Sequence, residues 1–351
     1  MILPQSYTAV LLLMVLSLFF LGSWAGIYKL AGKVRYELLY VDLAFGLILA
    51  AVAYAFTVGN FGYDGFNFLD DLLHAGKRQW IYVFIAGVVF NFGNVLLIAA
   101  VSVSGLAVAF PMAMGMAVLL GTGMALAARP AGGGIQVGLG CAAILASIVL
   151  NSIVYRMLGV AKHEALARAG KAKSTRRPNP MKGIILAIAA GLLIGAPTPL
   201  VEKARQGDLG LGPYGLGFLF ACGIFLSSFV YSIFLMLLPV DGEPLEFGAF
   251  FKVRPKEHLH GMASGVILFT GLLLAWICTS VPETIQAGPV GRFLLAHGSP
   301  VVAALWGIVV FKEYKSSDMR IKFLGMLMLV LFVCGVVMIG MAPLFSAVPK
   351  E

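Results

Sequence analysis

Ten stretches of this chain are each about as long as a bilayer is thick and carry almost no charge. A helix needs about 20 apolar residues to cross a hydrocarbon core about 30 Å thick. Runs of that kind occupy residues 8–30, 38–58, 80–103, 106–128, 135–155, 183–201, 214–238, 260–281, 290–311 and 323–342. The chain holds 25 Lys and Arg and 16 Asp and Glu, and all but Lys29, Asp42 and Arg292 fall outside the ten runs. Each of these three lies near a run end. A charge at the bilayer centre costs at least about 2.5 kcal/mol, so this separation is the mark of membrane spans. Strands of a transmembrane barrel are about 10 residues of alternating polarity. Here 96–101 (LLIAAV) and 326–333 (MLMLVLFV) are apolar on every face, and a helix satisfies its own backbone in lipid.

Composition agrees. Hydrophobic residues make up 60% of the 351, charged residues 12%, and mean hydropathy is +0.95. An ordinary soluble domain carries about 25% charged residues. A soluble enzyme, a nucleic-acid binder and a disordered chain are excluded, and no polar block is long enough for a large ectodomain. The expected fold is all-α: a polytopic membrane protein of ten transmembrane helices. No Lys or Arg precedes the first run, so it is expected to stay as a span rather than act as a cleaved signal peptide.

Lys and Arg set the expected topology. With ten spans both termini share a face, and that face holds Lys77, Arg78, Arg129, Lys203, Arg205, Arg292 and Lys350, leaving 18 of 25 cations on the other. Eight of the 18 (Arg156, Lys162, Arg168, Lys171, Lys173, Arg176, Arg177 and Lys182) lie in the segment 156–182. The positive-inside rule then places 156–182 in the cytoplasm and both termini outside, in a plasma (inner) membrane. The net charge of +9 reads as topology, with contact to anionic lipid headgroups as a secondary use and no nucleic-acid partner. Cys141, Cys222, Cys278 and Cys334 lie in four different spans and read as small buried hydrophobes rather than ligands or disulfides.

The basic loop divides the spans into a five-helix repeat at 1–155 and another at 183–351. An odd number per half inverts the second half, the geometry of inverted-repeat transporters. Internal similarity supports it: GVVFNFGNVLLIAAVSV at 87–103 aligns with GVILFTGLLLAWICTSV at 265–281, and the next span of each half carries a proline, Pro111 or Pro300. GLGPYGLGF at 210–218 follows no strand, so it is no dinucleotide fingerprint. ARAGKAKS at 167–174 lacks the Ser or Thr of a phosphate-binding loop, because Ala172 stands there.

Several strings resemble the ureide permeases. They are FLGSW (20–24), YVD (40–42), FGN (92–94) followed by GLAV (105–108), Pro199 closing the sixth span, and SPVVAALWGIVVFKEY (299–314). The resemblance runs in the same order along nearly the whole chain. It implies membership of the drug/metabolite transporter superfamily, with ten helices in two inverted halves and a cytoplasmic central loop. It also implies a secondary active permease that moves allantoin, uracil, xanthine or a related heterocycle with protons by alternating access. A sugar or other small-metabolite permease or exporter of the same superfamily is the alternative. The chain departs from the family at Leu272, which pairs with Asn94 in the internal alignment, and at Lys312, where the family has Gly.

Candidate site residues are the few polar and aromatic groups inside spans. Asn91 and Asn94 share a helix face, and their amides could match the alternating C=O and N–H groups of a ureide or nucleobase; equally, they could bond neighbouring helices. Trp24, Trp276 and Trp306 could sandwich a planar ligand, and Tyr231, Thr270 and Ser299 complete the expected substrate-binding set. Coupling or gating falls to Asp42, His297 and Glu313 as titratable groups, and to Pro111, Pro199 and Pro300 as helix breaks. The competing structural readings are an Asp42–Lys29 pair, a His297 bonded to a backbone carbonyl and an interfacial Glu313. No catalytic residue, metal or organic cofactor is expected, and the coupling ion would be H+. An enzyme is not expected, because the five His do not cluster with acids at membrane depth. The expected partners are a small-molecule substrate and membrane lipid, in a monomer or homodimer.

Overall fold

The structure, a computed structural model, describes residues 1–32, 34–62, 65–128, 133–168, 180–240, 242–315 and 317–345. Lys33, Arg129, Lys171, Lys173, Arg176, Arg177 and Lys350, which enter the charge argument, lie outside the described residues, as does most of the ARAGKAKS string.

The α-helices are α1 (Tyr7–Lys29), α2 (Tyr36–Phe56), α3 (Phe68–His74), α4 (Lys77–Ser104), α5 (Leu106–Ala128), α6 (Gly134–Arg168), α7 (Pro180–Gly195), α8 (Thr198–Arg205), α9 (Pro213–Leu237), α10 (Pro255–Thr279), α11 (Pro289–His297), α12 (Ser299–Leu305) and α13 (Met319–Met341). Among the described residues there is no strand. Among the described residues ten segments are long and apolar enough to cross a membrane, and each overlaps one expected span. Four helices open on proline, at Pro180, Pro213, Pro255 and Pro289. Proline at the first helical position loses nothing, since its missing N–H would have no partner there. That places the start of α10 five residues before the expected 260.

Two spans are not single helices. The sixth is α7 and α8, interrupted at Ala196 and Pro197, with the Thr198 hydroxyl bonded to the Gly195 carbonyl at 2.8 Å. The ninth is α11 and α12, broken at Gly298 and followed by a π-helical turn at Trp306–Val310. By contrast α5 runs unbroken through Pro111. The fifth span continues as α6 to Arg168, well past the expected end at 155. Its tail of Ala, Lys and Glu consists of good helix formers, so leaving the apolar region does not end the helix.

The chain forms two compact units: Met1–Val95 with Leu193–Gly288, and Leu96–Leu192 with Pro289–Glu351. In the first unit, α2 and α10 meet backbone to backbone. A Cβ on Gly265 would sit 1.9 Å from the Leu43 carbonyl oxygen, and one on Gly46 would sit 2.0 Å from that of Met262. In the same way Gly87 of α4 faces Gly223 of α9. Small residues let helices approach this closely where lipid supplies no hydrophobic drive for association. Polar bonds between helices add to the packing: the Ser17 hydroxyl donates to the Gly271 carbonyl at 2.7 Å. Outside the spans, Asp71 of α3 accepts the Gly212 N–H at 2.9 Å and so caps α9 from another element.

In the second unit α6 packs on α13 at Gly140 and Gly335, where each glycine faces the other's carbonyl. Asn151 donates to the Val108 carbonyl at 2.8 Å, and the Ser147 hydroxyl to that of Met328 at 2.9 Å. Gly105 joins α4 to α5 in a single residue at φ +89°, a conformation that glycine adopts at little cost. The four cysteines are free thiols, and only Cys278 is buried, whereas Cys334 is exposed on α13. The expectation of four buried hydrophobes therefore holds only for Cys278. An apolar exterior gives a thiol no reason to face inward.

Candidate functional site

The membrane-depth polar groups of the first unit gather where α2, α4 and α9 meet. Asn91 lies near the middle of α4 and is fully buried. Its Oδ1 accepts the Tyr40 hydroxyl at 2.8 Å. Its Nδ2 donates among the Ser227 hydroxyl at 2.8 Å, the Ser228 hydroxyl at 3.1 Å and the Ile224 carbonyl at 3.1 Å. The two serines pass their own protons to the Gly223 and Ile224 carbonyls, both at 2.7 Å. Two amide hydrogens thus serve three acceptors, and Asn91 has no donor left for a ligand. Of its two sequence readings, the helix-bonding one describes this residue.

Asn94 differs. It is 1% exposed, and its Nδ2 makes no hydrogen bond among the described residues. It lies beside the Tyr40 hydroxyl, but not in hydrogen-bond geometry. Ser232 on α9 is also buried, and its hydroxyl has no partner. The contacts show α4 and α9 running parallel: Gly87 meets Phe220 and Gly223, Asn91 meets Ser227 and Ser228, and the Phe92 ring lies tilted 5.0 Å from that of Tyr231. Helices rise about 1.5 Å per residue, so Asn94 and Ser232 lie at the same level, one turn beyond the satisfied network. A buried polar atom without a partner is uncommon in a folded protein and calls for an explanation. Here a free amide donor and a free hydroxyl lie level on neighbouring helices.

The remaining expected residues of this unit surround that core or lie away from it. The Tyr231 hydroxyl reaches the Val88 carbonyl at 3.4 Å. Trp276 of α10 meets Phe220 edge-on at 5.2 Å, and Trp24 of α1 is 2% exposed. Thr270 bonds the Val266 carbonyl at 2.7 Å within its helix and the Tyr54 hydroxyl at 3.1 Å. Pro199 opens α8 just after the interruption of the sixth span. Asp42 meets His258 of α10, Oδ2 to Nδ1 at 2.7 Å, where the sequence had offered Lys29.

The second unit holds the others. His297 closes α11, with Nδ1 bonded to the Phe293 carbonyl at 3.0 Å and its ring 4.2 Å from the Phe293 ring. Ser299 and Pro300 are buried in the first turn of α12, directly after the break at Gly298. Trp306 begins the π-helical turn and lies 6.3 Å from the Phe311 ring. Glu313 is no plain interfacial charge. Its two oxygens accept the Leu106 and Ala107 N–H groups, each at 2.9 Å, and so cap α5. A carboxylate at a helix N-terminus satisfies orphan donors and meets the positive end of the dipole. Pro111 lies within that same helix.

Tyr40, Ser227, Ser228, Ser232 and His258 were not on the expected list. The polar run S-S-x-x-Y-S at 227–232, in an otherwise apolar span, and the YVD string were the available signals. Among the described residues no cluster of His, Cys, Asp and Glu could hold a metal ion.

No protein-family model matches the chain. It is similar to ureide permease 1 of Arabidopsis thaliana, 23% identical over 381 residues that span 92% of this chain and 94% of that protein. It is similar also to ureide permease 2 of the same plant, at 22% identity over 402 residues covering 96% and 97%.

Proposed function

We propose that this chain is a secondary active permease for a small, neutral, planar heterocycle of the ureide or nucleobase kind, such as allantoin, uracil or xanthine. The observation that carries the reading is the unpartnered Asn94 amide, buried at membrane depth in a chain that aligns end to end with ureide permeases. Keeping such a donor unsatisfied costs about 1–3 kcal/mol, a cost that a bound carbonyl would offset. The level Ser232 hydroxyl can accept the neighbouring N–H of the same solute. A C(=O)–NH edge presents that pair of groups, and ureides and nucleobases carry several.

Uptake coupled to protons and alternating access belong to the same proposal, with both termini outside. In the first unit α2 packs on α9 and on α10, so a helix of the first five pairs with helices of the second five. That pairing is what two inverted, interleaved repeats would produce. A thermal-shift screen of the purified chain tests the substrate class, because a ligand that binds the folded state raises its stability. Allantoin, uracil or xanthine should raise the transition temperature, and glucose and xylose should not. Stabilisation by sugars alone would overturn the reading.

A further inference from the structure

A second polar pair joins α2 and α10 in the same unit, and its chemistry is different. Asp42 is in the second turn of α2, and its side chain is 8% exposed. His258, in the first turn of α10, is 22% exposed and donates across the helix contact at 2.7 Å. An ionised carboxylate is acceptor-only, so this bond fixes the proton on Nδ1 and leaves Nε2 as the basic atom. His74, His260 and His297 each bond a backbone carbonyl instead.

The surroundings hold the pair in place. A Cβ on Gly261 would lie 2.7 Å from the Asp42 Cβ, so a glycine at this position lets α10 come this close to the carboxylate. Phe250, in the 3-10 turn Phe247–Lys252, meets the imidazole edge-on at 4.7 Å. Other ionisable groups lie on the elements around the pair. On α2, Glu37 bonds Arg35 at 2.7 Å. On α10, Glu257 bonds Arg254 at 2.6 Å, and Lys256 lies one residue before it. On α1, the Tyr28 hydroxyl donates to the Tyr36 carbonyl and Lys29 ends the helix; the 3-10 turn contributes Lys252.

We propose that the Asp42–His258 pair is the proton-binding site of the permease. In the empty state a neutral imidazole donates Nδ1–H to the carboxylate, and the pair carries one negative charge. Loading adds one proton from water to Nε2, giving an imidazolium against a carboxylate with no net charge. Unloading returns that proton, and no other bond changes. The ionised carboxylate fixes the tautomer, as it does wherever it orients a histidine.

This inference rests on the proton-coupled reading above, and its test separates the two. In the substrate-free full chain in lipid nanodiscs, the 15N signals of His258 are followed against pH in wild type and in Asp42→Asn, with His258→Gln assigning the signals. The expected result is that Asp42→Asn lowers the proton affinity of His258 by at least about tenfold, the size expected for loss of an adjacent carboxylate. Titration within twofold of wild type would overturn the proposal. In proteoliposomes, Asp42→Asn and His258→Gln should still exchange labelled uracil yet fail to accumulate it under a pH gradient. Wild-type accumulation by both variants, or loss of exchange together with accumulation, would equally overturn it. If wild type exchanges neither uracil nor allantoin, the permease reading falls, and the His258 titration alone decides the proton site.

Discussion

Replacing Asn94 with Leu should stabilise the protein while abolishing its function. The wild-type residue is 1% exposed and its Nδ2 has no hydrogen-bond partner. A buried donor in that state costs about 1–3 kcal/mol, and Leu at membrane depth is itself favourable by about 0.3–0.6 kcal/mol. The variant is therefore expected to gain about 1–3 kcal/mol on unfolding. Asn91→Leu is the matched control, one turn away on the same helix. It removes bonds to Tyr40, Ser227, Ser228 and the Ile224 carbonyl. Interhelical hydrogen bonds in membranes average about 0.6 kcal/mol each, and the Tyr40 hydroxyl is left without its acceptor at about 1–3 kcal/mol more. The control should lose about 3–5 kcal/mol on those two terms together. The two substitutions have opposite signs although their side chains and depths are alike. Equilibrium unfolding in mixed SDS–lipid micelles measures both, and uracil or allantoin binding to Asn94→Leu measures the functional half. An Asn94→Leu variant destabilised by more than about 1 kcal/mol would refute the reasoning, because it would mean that the amide holds helices together. So would unchanged ligand binding.

Glu313→Ala should cost about 1–3 kcal/mol, because two α5 N–H groups lose a charged acceptor; Glu313→Gln should recover part of that in the same unfolding assay. Gly265→Ala should cost about 1–3 kcal/mol or more, since the new methyl would meet the Leu43 carbonyl oxygen at 1.9 Å. Its check is the yield and midpoint of folded protein, with Gly248→Ala, in open space, as the unaffected control. Asp71 yields a pH prediction. Burial pushes its carboxyl up from the ordinary value, opposed in part by the Gly212 N–H and by His74. The folded state then binds the proton more tightly than the unfolded state, so this group's contribution to stability is complete at low pH. It is lost as pH rises from about 3.9, the ordinary aspartate value, through the raised one. Wild type should lose stability relative to Asp71→Asn across that interval; the opposite slope in transition temperature against pH would contradict it.

Span number and position were legible because burial in lipid acts on single segments: twenty apolar residues must be a helix, whatever its neighbours do. Breaks were legible only in part. APTP at 196–199 marked the interruption of the sixth span, but the ninth broke at Gly298, ahead of Pro300, and α5 accommodated Pro111 without interruption. Proline at the start of a helix is harmless and proline inside one can be tolerated, so the residue alone does not say which. The site was less legible for a plainer reason. Asn91 and Asn94 look alike in sequence, and only the register of α4 on α9 decides that Asn91 meets Ser227 and Ser228 while Asn94 has no partner. The partner of Asp42 lies 216 residues away, on a helix whose closeness depends on Gly261 and Gly265. Glu313 looked like an interfacial charge because its two partners are backbone N–H groups, which have no signature in a sequence.

The central claim is transport of a ureide or nucleobase, and uptake by the purified chain in proteoliposomes tests it most directly. With an inward proton gradient, labelled allantoin, uracil or xanthine should accumulate above its external concentration, and a protonophore should abolish the accumulation. Glucose and xylose should not accumulate. Accumulation of a sugar with none of the three heterocycles, or no solute movement beyond that of empty liposomes, would contradict the account.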